Sequence, residues 1–354
     1  MFKFNFDVED GTEQSTAVNH TTPNNGPHSV EAVVPEPFTE LSLADALNSL
    51  PSKISYSSIT IPLASGGELS LPRRDLFDAR FQLISQNADD PDALEQSSIN
   101  ERSALHFLDA PSDLVPLVYE GGLKTWECSL DLASYLDGIS SQFDISGKRV
   151  LEIGCGTSIP SLYILHRIFS SSPSQNQTHI HLQDYNASVL ELVTIPNIIL
   201  TWYLSKAAET FRKSEERADS PLELDISENL KDAFSQSLMT YGVNLRFFSG
   251  SWDTFDLQKS CGSYNLVLTS ETIYRMESLP SLTTIMRKAC NAEGPNGVDD
   301  YLCLVAAKVL YFGVGGGVAE FVQCVRDLDR GGIVETVWEK TQGVERRVMS
   351  VRWN

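Results

Sequence analysis

Arg149-Val-Leu-Glu-Ile-Gly-Cys-Gly-Thr157 is a short strand-forming run that ends in a turn of small residues. Val150, Leu151 and Ile153 are apolar without strict alternation, which reads as a strand buried on both faces of a sheet. Gly154 and Gly156 then let the backbone approach a ligand closely. A lone Gly-x-Gly is a weak signal, so its neighbours decide the reading. A dinucleotide fingerprint places a third glycine where this chain has Ile159.

Working outward, the periodicity alternates. A helix is predicted at Ile159–Phe169, a strand at His179–Asp184 and a helix at Ser188–Leu204, which Pro196 should kink or break. Residues 205–242 are charged and helix-prone and read as an insertion. Strands resume at Leu245–Phe248, Tyr264–Thr269 and Tyr301–Ala307, with a helix at Leu279–Cys290 between the last two. A helix at Val318–Leu328 precedes two strands, Ile333–Trp338 and Arg347–Trp353, joined around Gly343 as an antiparallel hairpin. Strands alternating with helices predict an α/β fold with a parallel sheet covered on both faces. Ending in a hairpin, it has the layout of a Rossmann-like, seven-stranded class I methyltransferase domain.

Residues 1–40 are rich in Thr, Asn, Pro, Glu and Ser and read as a disordered tail. Residues 41–116 carry short amphipathic pieces at Leu41–Leu50, Ile54–Ile61 and Leu76–Ile84. They hold too little apolar surface for a core of their own, so they are expected to pack as an extension on the main domain, 117–354.

The 354 residues are 42% hydrophobic and carry a net charge of −20. Residues 1–120 hold 6 basic and 19 acidic residues, against 21 and 28 in the remainder. That surplus argues against direct nucleic-acid binding, which needs Lys and Arg for phosphates, and it suits a basic partner. The six cysteines, at 128, 155, 261, 290, 303 and 324, form no Cys-x-x-Cys pair. They read as reduced thiols in a chain with no metal site. The start lacks the apolar core of a signal peptide and no run of eighteen apolar residues exists, so no membrane span is expected.

In an open α/β sheet, ligands bind at the carboxyl ends of the strands. Glu152 stands two residues before the first glycine, where it disfavours a pyrophosphate and welcomes an ammonium; as the alternative, it caps a helix. Gln183-Asp184-Tyr185 ends the second strand, where an acid can accept ribose hydroxyls, unless Asp184 is itself a helix cap. Gly250-Ser251-Trp252 follows the third strand, where an indole can cover an adenine or simply fill the core. Ser270-Glu-Thr-Ile-Tyr274 puts an acid and a phenol at the open edge, or merely starts a helix. In this order on alternating strands, these residues favour S-adenosylmethionine over NAD.

Glu120-Gly-Gly-Leu-Lys-Thr-Trp-Glu-Cys-Ser129, Gln183-Asp-Tyr-Asn186, Leu268-Thr-Ser-Glu-Thr-Ile-Tyr274 and Tyr311-Phe-Gly-Val-Gly-Gly-Gly317 resemble the eukaryotic protein-histidine methyltransferases. These are enzymes that methylate a histidine of a large-subunit ribosomal protein. The resemblance spans roughly residues 115–354, plus Phe4–Phe6. It implies that Thr125, Trp126, Glu127, Cys128 and Ser129 line the methyl-donor pocket. It places Gly154, Cys155 and Gly156, with Glu152, at the methionine part. Gln183, Asp184 and Tyr185 fall at the ribose, Gly250, Ser251 and Trp252 at the adenine, and Ser270 closes the pocket. Tyr311, Gly313, Gly315 and Gly316 would approach the substrate. Glu271 would stabilise the cation that forms, with Tyr274 orienting the acceptor ring.

The resemblance further implies a ribosomal substrate, which the acidic surface fits if that substrate is basic, and such a substrate allows a place in cytoplasm and nucleus; a monomer is the default expectation. A lysine methyltransferase of the same wider group and a catalytically silent ribosome assembly factor are the alternatives.

Overall fold

In the computed structural model, described for residues 35–88, 114–115, 119–214, 222–260, 262–290, 301–312 and 315–354, the first element is a strand, β1 (Thr39–Leu41). Helix α1 (Leu43–Asn48) follows, and strands β2 (Lys53–Pro62) and β3 (Glu68–Arg74) form a hairpin before helix α2 (Leu76–Ala88). Two short strands, β4 (Leu114–Val115) and β5 (Tyr119–Glu120), pair with each other and lead into helix α3 (Glu127–Gly138).

The central segment follows as β6 (Arg149–Ile153), α4 (Ile159–Ser170), β7 (Thr178–Asp184), a helical run over 187–204 whose last part is α5 (Ile195–Leu204), β8 (Glu223–Asp225), α6 (Glu228–Thr240) and β9 (Val243–Ser249). The chain ends with β10 (Leu266–Ser270), α7 (Leu279–Cys290), β11 (Leu302–Lys308), α8 (Val318–Asp327) and the hairpin β12 (Gly332–Lys340) and β13 (Arg346–Trp353). From Pro35 to Asn354 these elements form one compact unit.

The large sheet runs β1-β9-β7-β6-β10-β11-β13-β12. Strands β9, β7, β6, β10 and β11 are parallel, and β13 and β12 are antiparallel at one edge. This is the class I methyltransferase order. Strand order reverses between β6 and β10, which opens a crevice at their carboxyl ends. Alternate residues feed two cores, as strand geometry requires. Val150, Ile180, Leu182, Leu266 and Leu268 face one side with α3 to α6, and Leu151, Ile153, Val267 and Val305 face the other with α7 and α8.

The sheet has eight strands because β1 pairs antiparallel with β9. Of the expected disordered tail, residues 1–34 lie outside the described residues, while Thr39 and Glu40 belong to β1. Phe38 stacks on Phe248 at 5.3 Å, and Arg246 grips Glu40 with two bonds of 2.7 Å. Aromatic stacking and a bidentate ion pair hold this end down despite its polar composition.

Pro196 does not break its helix. Residues Leu190–Thr194 widen into a π-turn that carries the chain into α5. Proline has no N–H to offer the carbonyl four residues back, Leu192. The buried guanidinium of Arg74, from β3, donates to that carbonyl at 2.9 Å instead. Asn197 Oδ1 accepts the Arg74 backbone N–H in return. Among the described residues only the run Ala187–Leu204 is long and apolar enough to cross a membrane. It is mostly buried, since both of its sides are covered within the fold.

The stretch 205–242 differs from the insertion expected of it. Strand β8 pairs with β2, and α6 buries Leu230, Phe234 and Leu238 while returning the chain to β9. Its charges are one face of an amphipathic helix; the other face is core.

Candidate active site

A cavity of about 600 Å³ opens at the crevice between β6 and β10, within the size range of small-molecule sites. Its walls include Trp126, Ser129, Gly154, Cys155, Gly156, Asp184, Tyr185, Ser251, Trp252, Ser270, Glu271, Tyr274 and Tyr311. The structure thus brings together most of the residues expected from sequence.

The turn after β6 is shaped by its glycines. Gly154 and Gly156 have φ of +62° and +50°, where side chains are strained. A Cβ on Gly156 would lie 3.1 Å from the Gly122 carbonyl oxygen. Gly122, at φ +104°, leaves no room either: a Cβ there would meet Val189 Cγ1 at 2.9 Å and Asp184 Oδ2 at 3.3 Å. Asp184 accepts the Gly156 N–H at 2.9 Å and the Asn186 N–H at 3.2 Å. Its carboxylate is therefore held at the cavity wall by the turn itself.

Several expected ligand residues act one step back. Gln183 Oε1 accepts from Trp252 Nε1 at 2.9 Å and from Gly154 N at 3.3 Å, and its Nε2 donates to the Gly250 carbonyl. It locks the indole as a wall. Gly250 admits the N-terminal segment, since a Cβ there would collide with the Pro37 carbonyl. Thr125 bonds Thr157 at 3.0 Å and so ties the segment before α3 to the β6 turn.

Glu152 lies outside the cavity. It is buried against α4, which has no acid in its own first turn, and accepts the Ser161 N–H at 3.0 Å and the Ser161 hydroxyl. Burial raises its pKa to about 8 even though the Ser161 bonds favour the charge. The helix-cap alternative holds for this residue.

Also on the cavity wall, Glu271 follows β10 in a left-handed conformation, φ +58°. Its Oε2 accepts from the Tyr311 phenol at 2.6 Å, and its Oε1 accepts the Cys128 N–H at 3.3 Å and lies 3.6 Å from Lys308 Nζ. Burial, with Glu271 alongside, pushes the Cys128 thiol and the Tyr311 phenol well up, so both stay protonated. Cys128, expected to line the pocket, is instead buried behind the cavity wall, with its thiol held protonated. Glu127 sits outside the cavity wall, 3.1 Å from Lys308 Nζ. Tyr274 lines the cavity, its ring 6.3 Å from that of Tyr311.

Gly316 does not face a substrate. Its N–H bonds the Tyr274 carbonyl at 3.0 Å, and a Cβ there would strike the Tyr274 backbone. Gly315 is exposed away from the cavity wall, and Gly313 lies outside the described residues.

Sequence reasoning missed Gly121, Gly122, Thr157, Thr272 and Lys308, all on the cavity wall. The paired glycines were the available signal for the first two. A lone lysine closing the apolar run Leu302–Ala307 was the signal for Lys308. Among the described residues no group of three His, Cys, Asp or Glu could hold a metal.

The cavity fits S-adenosylmethionine on its own geometry. The glycine cradle at 122, 154 and 156 leaves the backbone bare where the methionine part would lie. Asp184 ends β7 on the cavity wall, where it would accept ribose hydroxyls, and Ser251 and Trp252 line the part of the wall that would face an adenine. No protein-family model matches the sequence. The histidine protein methyltransferase 1 of Schizosaccharomyces pombe is 34% identical, over 87% of this chain and 83% of that protein. That of Saccharomyces cerevisiae is 32% identical, over 89% of this chain and 83% of that protein. Among solved structures, the magnesium protoporphyrin IX methyltransferase of Synechocystis with bound SAH aligns with 64% of this chain and 83% of its own, at 12% identity and a TM-score of 0.35. With its cavity built on the motifs that opened the comparison and with relatives matched over most of both chains, this chain belongs to the histidine protein methyltransferase family.

Proposed function

We propose that this protein transfers a methyl group from S-adenosylmethionine to a ring nitrogen of one histidine in a basic, large-subunit ribosomal protein. It acts as a monomer in cytoplasm and nucleus, without nucleic acid or membrane. The observation that carries the reading is the Glu271 carboxylate, fixed on the cavity wall by Tyr311, Lys308 and the Cys128 N–H.

When bound, the donor supplies a methyl group already activated on a sulfonium, so the chain must align an in-line displacement and exclude water. A histidine makes the base problem mild, because with an unperturbed pKa of about 6.5 it is largely neutral at pH 7. Tyr274 packs the acceptor ring. Glu271 faces the cation that develops as the ring gains its methyl, and its placement before reaction lowers the barrier.

The test is label transfer. Large-subunit ribosomal proteins from cells lacking this gene, incubated with the purified protein and isotopically labelled S-adenosylmethionine, should gain one methyl on one histidine by mass spectrometry. Label on lysine instead would move the protein to the sister activity. No label despite confirmed donor binding would favour a silent assembly factor.

A further inference from the structure

Lys308 is the last residue of β11, and its side chain, only 17% exposed, turns into the cavity wall beside Glu271. Its Nζ lies 4.8 Å from the centre of the Trp126 ring, 3.1 Å from Glu127 Oε2 and 3.6 Å from Glu271 Oε1. An aromatic face with carboxylates around it is the donor set that binds an organic ammonium. Here the three groups come from two separate places in the chain and the ammonium from a third. Trp126 and Glu127 enter at the start of α3, Glu271 follows β10, and the cation closes β11.

We propose that Lys308 fills, with the chain's own ammonium, the seat that a substrate ammonium would need, so that the acceptor chamber takes a neutral imidazole and rejects a lysine side chain. Lys308 is in this sense a specificity-determining residue. The specificity half rests on the methyl-transfer reading above; the occupied ammonium seat does not.

The electrostatics support it. Burial works against charge on Lys308, but the carboxylates of Glu271 and Glu127 outweigh it and raise its pKa. The ammonium therefore stays charged through the physiological range. Its proton also keeps the nitrogen lone pair occupied, so Lys308 is not itself an acceptor. A second ammonium brought beside it would meet like charge in a partly desolvated site and find both carboxylates already engaged. An imidazole carries no charge to be repelled, and it can still use the far side of the chamber near Tyr274 and Tyr311.

The experiment uses the full-length protein and n-butylammonium as probe, titrated calorimetrically into wild type, K308M and K308Q. Donor affinity and circular dichroism confirm that each variant is folded, and two variants guard against one that is not. Emptying the seat should give saturable binding of n-butylammonium, about tenfold or more tighter than to wild type. n-Pentanol should show no such difference. Equal binding to wild type and variants, or none to folded variants, overturns the occupied seat. In a second arm, peptides carrying the acceptor histidine or a lysine in its place are methylated side by side. The lysine-to-histidine rate ratio should rise about tenfold or more in K308M. An unchanged ratio in variants that do bind n-butylammonium overturns the specificity role. Wild type that methylates no histidine at all overturns the methyl-transfer reading, while the titration still decides the seat.

Discussion

The phenol of Tyr311 donates to Glu271 Oε2 at 2.6 Å and joins the loop after β11 to the residue that ends β10's run into the cavity. Glu271 needs such a brace. A non-glycine residue at φ +58° is strained, and strain persists only where surroundings over-determine it. The Glu271 N–H is tied to the Ala306 carbonyl at 2.9 Å, and the carboxylate is held from two further elements. The short bond also keeps the carboxylate aimed. Tyr311→Phe should therefore lower kcat by about 10- to 100-fold, the worth of a hydrogen bond to a charged group. The dissociation constant for S-adenosylmethionine should stay within error. Single-turnover kinetics on a histidine acceptor, alongside donor titration, check this; an unchanged kcat would remove Tyr311 from the machinery.

Donor binding should depend on Asp184 and on the bare turn facing it. Asp184→Asn keeps the shape but weakens two charge-assisted acceptor contacts to backbone N–H groups, and with them the ribose acceptor. Calorimetry should show affinity for S-adenosylmethionine falling about 10- to 100-fold. Gly122→Ala should match or exceed that loss, because its Cβ would press on Val189 and Asp184 together. Wild-type affinity in Gly122→Ala would mean that the glycine cradle is not where the donor lies.

The order of strands was legible because a buried parallel sheet writes itself as short apolar runs, and β6, β7, β10 and β11 each read that way. Their active-site ends were legible for the same reason: Gly154 and Glu271 follow directly on β6 and β10, Asp184 closes β7, and Trp252 stands three residues past β9. What was illegible depended on neighbours distant in sequence. Strand β3 contains Pro72, Arg73 and Arg74 and looks like a loop, yet Arg74 is buried because Pro196 leaves a carbonyl for it. Glu152 stands two residues before the first glycine, but its direction was set by strand alternation, which turns it to α4 and away from the crevice. Gln183 and Gly250 sit in the right motifs and serve as braces behind the wall.

Arg74 offers a stability test of the π-turn. Arg74→Met strands the Leu192 carbonyl and leaves Asp78, now 2.7 Å from the guanidinium, without its partner. Chemical denaturation should report a loss of about 3 kcal/mol. Pro196→Ala restores a backbone N–H within the helix, so Arg74→Met should cost clearly less in that background. Equal cost in both backgrounds would separate Arg74 from the proline.

Glu152 should leave a signature in the pH dependence of stability. Burial lifts its folded-state pKa to about 8 from an ordinary value of 4.5. Between those values the native protein holds a proton that the unfolded chain has lost. The stabilisation is therefore full below pH 4.5, is lost as pH rises toward 8, and falls by up to about 1.4 kcal/mol per pH unit in that window. Glu152→Gln cannot ionise and still accepts from Ser161. Its melting temperature should decline less than wild type's between pH 6 and pH 8.5, with the curves diverging toward the alkaline end. Parallel curves would mean that Glu152 is ionised in the native state throughout.

The mouth of the cavity sets a last expectation, about the protein substrate. Phe312 is 87% exposed and Leu310 51% exposed, and with Val344 they ring the opening beside Tyr311. Large apolar side chains so exposed at the entrance to a site have no stabilising role in the free protein, and a docked substrate chain would cover them. A peptide that delivers an acceptor ring to Glu271 must cross this rim. Burying a phenylalanine side chain is worth about 1.5–3 kcal/mol, so Phe312→Ser should raise KM for the protein substrate about tenfold or more. Donor affinity should be unchanged, because Phe312 stands outside the glycine cradle. Thermal stability should hold or rise, since the variant removes exposed apolar surface and nothing from the core. A rise in KM with both controls steady places the substrate chain on the rim; an unchanged KM places its docking contacts on another face.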